Sequence, residues 1–256
     1  MILGDINTFN EGISASIIAS FAVLSFQLIW NLIIKKYYKY RFKNLFGYYE
    51  NKNLKLVIPE LTLRQEVKQL IYKAKKIQNN EYPFKNNSDK HVSSSKLFPY
   101  ADTKALNYTL SVVAKYIKGN NYTITNDSIK DNLDFSLIAF GGINFYCQYF
   151  LSDPDNRFLK IGDNEIIALD NNNTYKIDSD YDYGFIIKTK IKNLPDNTWI
   201  LIAGLAESGT SGAGWFLSKN WKELSKSFND KSFAIIVKVR HGSDSSATEV
   251  HRISSD

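Results

Sequence analysis

Residues 13 to 34, I-S-A-S-I-I-A-S-F-A-V-L-S-F-Q-L-I-W-N-L-I-I, carry no charge, and Lys35, Lys36, Lys39, Arg41 and Lys43 follow without an intervening acid. At about 1.5 Å per residue such a helix is roughly 33 Å long, the thickness of a bilayer's hydrocarbon core. The run therefore predicts a transmembrane helix over 13–34. A cleaved signal peptide has a basic leader and a shorter apolar stretch, whereas here Asp5 and Glu11 precede the run and Lys-Lys-Tyr-Tyr follows it. The cations place their side in the cytoplasm, and Trp30, Tyr37, Tyr38 and Tyr40 suit the interface. The expectation is a single-pass inner-membrane protein. Residues 1–12 are then external, 35–60 form a basic juxtamembrane linker and 61–256 form a cytoplasmic domain.

That tract also explains the net charge of +6, since the rest of the chain sums to +1 without its five cations. The basic balance thus gives no support for a nucleic-acid-binding face. With Cys147 as the single cysteine, no intrachain disulfide forms. Abundant Asn, Lys, Ile and Tyr match the composition of an AT-rich bacterial genome. Within the span, Ser16, Ser20, Gln27 and Asn31 fall on one stripe about 60° wide at about 100° per residue. Such a stripe points to helix association or to a lumen, with amides bonding to their own backbone as the alternative. The bilayer and further copies of the chain are the partners this predicts.

In the cytoplasmic part, Thr62-Leu-Arg-Gln65 has capping-box spacing. Leu63, Val67, Leu70, Ile71, Ala74 and Ile77 continue it at helical period. Residues 79–99 read as a long polar loop and 102–118 as a second helix. Phe135-Ser-Leu-Ile-Ala-Phe140 and Thr198-Trp-Ile-Leu-Ile-Ala203 are short apolar runs, as in strands covered on both faces. Each leads through glycine into a helical pattern, at 145–151 and at 215–224. Strands joined by Asp/Asn turns are expected over 158–190, a further strand over 233–239 and an edge strand over 247–253. The sum is an α/β fold: a three-layer, Rossmann-like domain with a mixed sheet behind a single membrane helix.

Glycine after a parallel strand lets a ligand approach the backbone, and the next helix offers free N–H groups. Gly141, Gly142 and Asn144 form one expected wall of a cleft, and Glu207, Ser208, Gly209, Thr210, Ser211 and Gly212 the other. Lys188 or Arg240 would neutralise a ligand phosphate. Asp180, Asp182 and Glu207 are candidates for ribose contacts or acid–base work, with plain solvated turns as the alternative. Recognised motifs are absent. Gly-Thr-Ser-Gly-Ala-Gly has the order G-x-x-G-x-G and no P-loop lysine, so it is no dinucleotide fingerprint. Gly209-x-Ser211-x-Ala213 departs from a nucleophile elbow, although His241, His251 and Asp244 supply the residue types of a triad. His91, His241 and His251 lack metal-ligand spacing. No metal, cofactor or catalytic residue is predicted.

The layout resembles the membrane-anchored effectors of bacterial anti-phage signalling, in which a cytoplasmic sensor is joined to transmembrane helices. Gly209-Thr210 is also similar to the G-T step of the SLOG (LOG-type) nucleotide-binding superfamily, but Ala213 stands where that motif has its glutamate. The resemblance implies a nucleotide-derived ligand such as a cyclic oligonucleotide or an ADP-ribose derivative, and a function in antiviral signal transduction through membrane disruption. A membrane-tethered hydrolase or transferase and an anchored scaffold are the alternatives.

Overall fold

The computed structural model describes residues 3–47, 53–60, 98–117, 121–126, 134–191 and 194–255, with side chains from Ser20 onward except Ala22, Leu194 and Pro195. The helix expected near 62–78 lies outside these residues, as does nearly all of the 79–99 loop.

A single helix, α1 (Leu3–Phe46), contains the whole apolar run and the basic tract. Among the residues with described side chains, no helix is long and apolar enough to cross a membrane. The expected span of 13–34 begins before that set. Within the described part, Phe21, Leu24, Phe26, Leu28, Trp30 and Leu32 are exposed, and so are Gln27 and Asn31. Ser16 lies outside the described side chains, and Ser20 is exposed. The character of α1 changes at its end, where Phe42, Leu45 and Phe46 are fully buried in the core. Gly47, at φ +61°, ends the helix in the left-handed region and lies against Thr198.

Of the residues 35–60 expected to be a linker, those up to Phe46 belong to α1 and Leu54–Ile58 form the strand β1. β1 pairs in parallel with β2 (Tyr122–Asn126) on one side and β3 (Leu137–Phe140) on the other. Between β1 and β2 lies α2 (Tyr100–Tyr116). After β3 come the short α3 (Phe145–Leu151) and a three-stranded antiparallel sheet: β4 (Leu159–Gly162), β5 (Glu165–Ala168) and β6 (Thr174–Lys176). The chain then runs through β7 (Tyr181–Ile191), β8 (Leu194–Gly204), α4 (Glu207–Phe228), β9 (Phe233–Arg240) and the edge strand β10 (Ser243–Ser254). The main sheet has the order β10-β9-β7-β8-β3-β1-β2. β8, β3, β1 and β2 are parallel, whereas β7 runs against both β8 and β9, so the sheet is mixed as expected.

Alternation along the strands supplies both faces of this sheet. Ile138, Phe140, Ile200, Ile202, Ile235 and Val237 pack with the end of α1, α2 and α4. Leu137, Ala139, Trp199, Leu201 and Ile236 pack with α3 and the small sheet. Burial on both faces is why these strands read as nearly unbroken apolar runs.

Candidate functional site

The carboxyl ends of β3 and β8 lie side by side, and Gly141 N–H donates to Ile202 O at 2.8 Å. At this edge opens a cleft of about 390 Å³. Its walls include Asp102 from the first turn of α2, Gly142 and Ile143 after β3, Ile161 of β4, and Gly204, Glu207 and Thr210 around the start of α4. The two expected walls do meet in one cleft, through Gly142 on one side and Glu207 and Thr210 on the other.

Asp102 was not foreseen from the sequence. Its residue is 4% exposed, and burial pushes its carboxyl up to about 6. Among the described residues no donor reaches it. Gly141, at φ +88°, is what makes room, because a Cβ there would collide with the Asp102 carboxylate. Among the described residues, the lining also holds Glu207 but no lysine or arginine. Chemically, the cleft accepts hydrogen bonds, and its charge disfavours an anion.

The glycine-rich stretch from Ser208 to Gly214 is the start of α4 rather than a loop. Its glycines allow close packing. A Cβ on Gly209 would strike the backbone of Tyr183, one on Gly212 would lie 2.5 Å from Val239, and one on Gly214 would lie 2.6 Å from the Cα of Ala105. Two of the N–H groups at this helix start, those of Ala206 and Gly209, already have a partner within the fold. The Asp182 carboxylate, fully buried on β7, accepts from Gly209 N at 2.5 Å, Ala206 N at 3.2 Å and Tyr183 N at 2.7 Å. Burial raises its pKa, and these three N–H groups work against that rise. A carboxylate at a helix amino terminus does what a bound phosphate would do there.

The remaining candidates have structural partners. Asn144 caps α3 by accepting from Tyr146 N at 2.9 Å and donates to Val57 O at 3.3 Å. Ser208 Oγ accepts from Gly242 N at 3.0 Å. Ser211 Oγ donates to Asp244 at 2.6 Å, and Tyr108 (2.8 Å) and Lys104 (2.5 Å) meet the same carboxylate. Burial opposes ionisation of Asp244, yet these donors and the Lys104 charge hold its pKa below the usual carboxylate value. No triad assembles: His241 lies against Asp178 O and His251 against Asp170. Asp180 accepts His241 N–H on its backbone oxygen. Arg240 is exposed at the end of β9.

Lys188 is remote from the cleft, at the opposite edge of the sheet. It is fully buried and donates to Asn44 O at 2.7 Å and Asn229 O at 3.0 Å, the carbonyl ends of α1 and α4. Burial lowers its pKa to about 8. Two helix carboxyl termini facing one ammonium compensate part of that desolvation. Alongside it, Arg41 donates to Ser225 O at 2.9 Å, Ser225 Oγ returns a bond to Arg41 O at 2.8 Å, and Asn44 donates to Asn229 at 2.9 Å. α4 thus touches the cleft at its first turn and α1 at its last turns.

No family model matches the chain, and no curated protein matches it. Among the described residues, no cluster of His, Cys, Asp or Glu is placed to hold a metal ion.

Proposed function

We propose that this is a single-pass, self-associating inner-membrane effector. Its cytoplasmic Rossmann-like domain binds a small nucleotide-derived signal in the cleft between β3 and β8 and passes occupancy to α1. The observation that carries this reading is α4. About 33 Å long at 22 residues, it presents Glu207 and Thr210 to the cleft and Trp221, Ser225 and Asn229 to the end of α1. A ligand that shifts the first turn of α4 acts on the root of the apolar helix, provided it prefers one arrangement over the other.

The lining supports a particular pose. Asp102 and Glu207 accept hydrogen bonds from ribose hydroxyls or base amino groups, while phosphates stay outside a cleft whose described lining holds no lysine or arginine. Membrane disruption by associated α1 helices is the proposed output, in keeping with the anti-phage effector layout. The exposed apolar surface of α1 supports an environment of lipid or of other helices.

Thermal-shift titration of the full chain in detergent with cyclic dinucleotides, ADP-ribose and NAD tests binding. Dye release from vesicles carrying the chain tests output. The expected result is that one of these ligands both raises the melting temperature and triggers release, and that Gly142→Val removes both responses. Gly142 suits this purpose because a Cβ there meets nothing closer than 3.8 Å, so the fold accepts it while the cleft is filled. Release that is unaffected by Gly142→Val would refute the cleft as the sensor.

A further inference from the structure

The domain is joined to α1 in a definite sense. Tyr38 meets Trp221 at 6.2 Å between ring centroids, Arg41 bonds Ser225, and Asn44 bonds Asn229. Ascending numbers on α1 match ascending numbers on α4, so the two helices run in the same direction where they touch. Following α1 back from Phe46 towards its apolar segment is therefore moving along α4 towards Glu207 and the cleft.

From Trp221 to Glu207, α4 continues for fourteen residues, about 21 Å, in the sense in which α1 runs back to its apolar segment. The cleft edge is therefore the edge of the domain on the side of that segment.

The two edges also differ in surface. Among the described residues outside α1, the exposed large hydrophobic ones are Phe98, Tyr100, Ile124, Ile143, Tyr149, Ile161 and Val250. Ile143 and Ile161 line the cleft, and Phe98 and Tyr100 flank Pro99, which lines it. Tyr100 is 71% and Ile143 63% exposed. The opposite edge carries polar groups, including the exposed Lys190–Asp230 ion pair at 2.6 Å. Aromatic and aliphatic side chains around an opening suit the headgroup region, where a ring or a branched chain is partly desolvated and backbone stays wet.

We infer that the cleft edge is the face that rests on the bilayer, with Phe98, Tyr100, Ile143 and Ile161 contacting the interface. This rests on the membrane-anchored reading of α1. The cleft then opens onto the headgroup layer, and ligand enters along the membrane surface or after the domain lifts from it.

The experiment uses the full chain in phosphatidylcholine vesicles, with one fluorescent label on each of four single-cysteine variants: Leu24→Cys, Tyr100→Cys, Ile143→Cys and Lys231→Cys. Cys147 stays unlabelled because it is fully buried and burial raises its thiol pKa far above the usual value. Quenching by headgroup-nitroxide lipid is expected to be about twofold or more stronger at positions 100 and 143 than at 231, with position 24 quenched by an acyl-chain nitroxide. Equal quenching at 100, 143 and 231 with position 24 quenched overturns the orientation and leaves the anchor standing. Absence of quenching at position 24 overturns the anchor, and the orientation with it.

Discussion

Replacing Asp102 by Asn tests the chemistry of the cleft through stability alone. The folded carboxyl has a pKa of about 6 against an ordinary 3.8, because burial penalises the anion. The folded state thus binds the proton more tightly than the unfolded chain does. Stability contributed by the neutral acid is complete below pH 4 and is lost as pH rises from about 4 to about 6. A gap of about two pH units at about 1.4 kcal/mol each amounts to about 3 kcal/mol of destabilisation at pH 8. Asn stays neutral throughout, so Asp102→Asn should match the wild type near pH 4 and exceed it by about 3 kcal/mol at pH 8. For a chain of this size that is about 6 to 12 °C in melting temperature. Urea titrations of both proteins in the same detergent, followed by tryptophan fluorescence at pH 4, 5, 6, 7 and 8, would measure the gap at each pH. A gap that does not change with pH, or an Asn variant less stable at pH 8, would refute the assignment of Asp102 as a buried carboxyl without a donor.

Other substitutions probe the frame around the cleft. Asp182→Ala removes the acceptor for Ala206 and Gly209 N–H and should lower stability by about 2 to 3 kcal/mol, with Asp182→Asn losing less, both read by thermal melting. Gly214→Ala puts a methyl 2.6 Å from the Cα of Ala105 and should cost about 1 to 3 kcal/mol by forcing α2 from α4, whereas Gly142→Val should melt close to wild type. Ser211→Ala deletes one of three donors to Asp244 and should cost about 1 kcal/mol while leaving the Lys104 and Tyr108 contacts in place, again measured by melting.

Elements whose signal is local were legible in the sequence. The apolar runs at 135–140 and 198–203 are β3 and β8, the 102–118 periodicity lies within two residues of α2, and the 233–239 and 247–253 patterns fall in β9 and β10. β1 was missed because Lys55 interrupts its apolar run. The structure accommodates Lys55 by placing its ammonium 3.5 Å from the centre of the Phe135 ring. The glycine stretch misled because glycine opposes helix locally, by about 1 kcal/mol per residue, while the tertiary gain lies in residues far away in sequence. Tyr183, Val239 and Ala105 each come into close contact with one of those glycines, and nothing near residue 209 announces them. Lys188 and Asp102 have the same character: a lysine inside Ile-Ile-Lys-Thr-Lys and an aspartate at a helix start both look solvated until the fold encloses them.

Those two buried ionisable groups stand on different elements, Lys188 on β7 and Asp102 on α2, and their circumstances differ. Lys188 has two helix carbonyls and a complete structural role at the root of α1. Among the described residues Asp102 has no matching donor, and Gly141 adopts a positive φ beside it where any side chain would collide. Asn at position 102 fills the same space without the charge penalty, so stability alone does not account for a carboxylate there. Groups that lower stability in the free protein are expected where a ligand supplies the missing partner. A donor entering the cleft would favour the ionised form of Asp102 and draw on the free energy that burial withholds. The first turn of α4 forms the neighbouring wall, and that helix ends on α1. In the proposed function, the energy of satisfying Asp102 is therefore available to bias the arrangement of α4 and of the apolar helix attached to its far end.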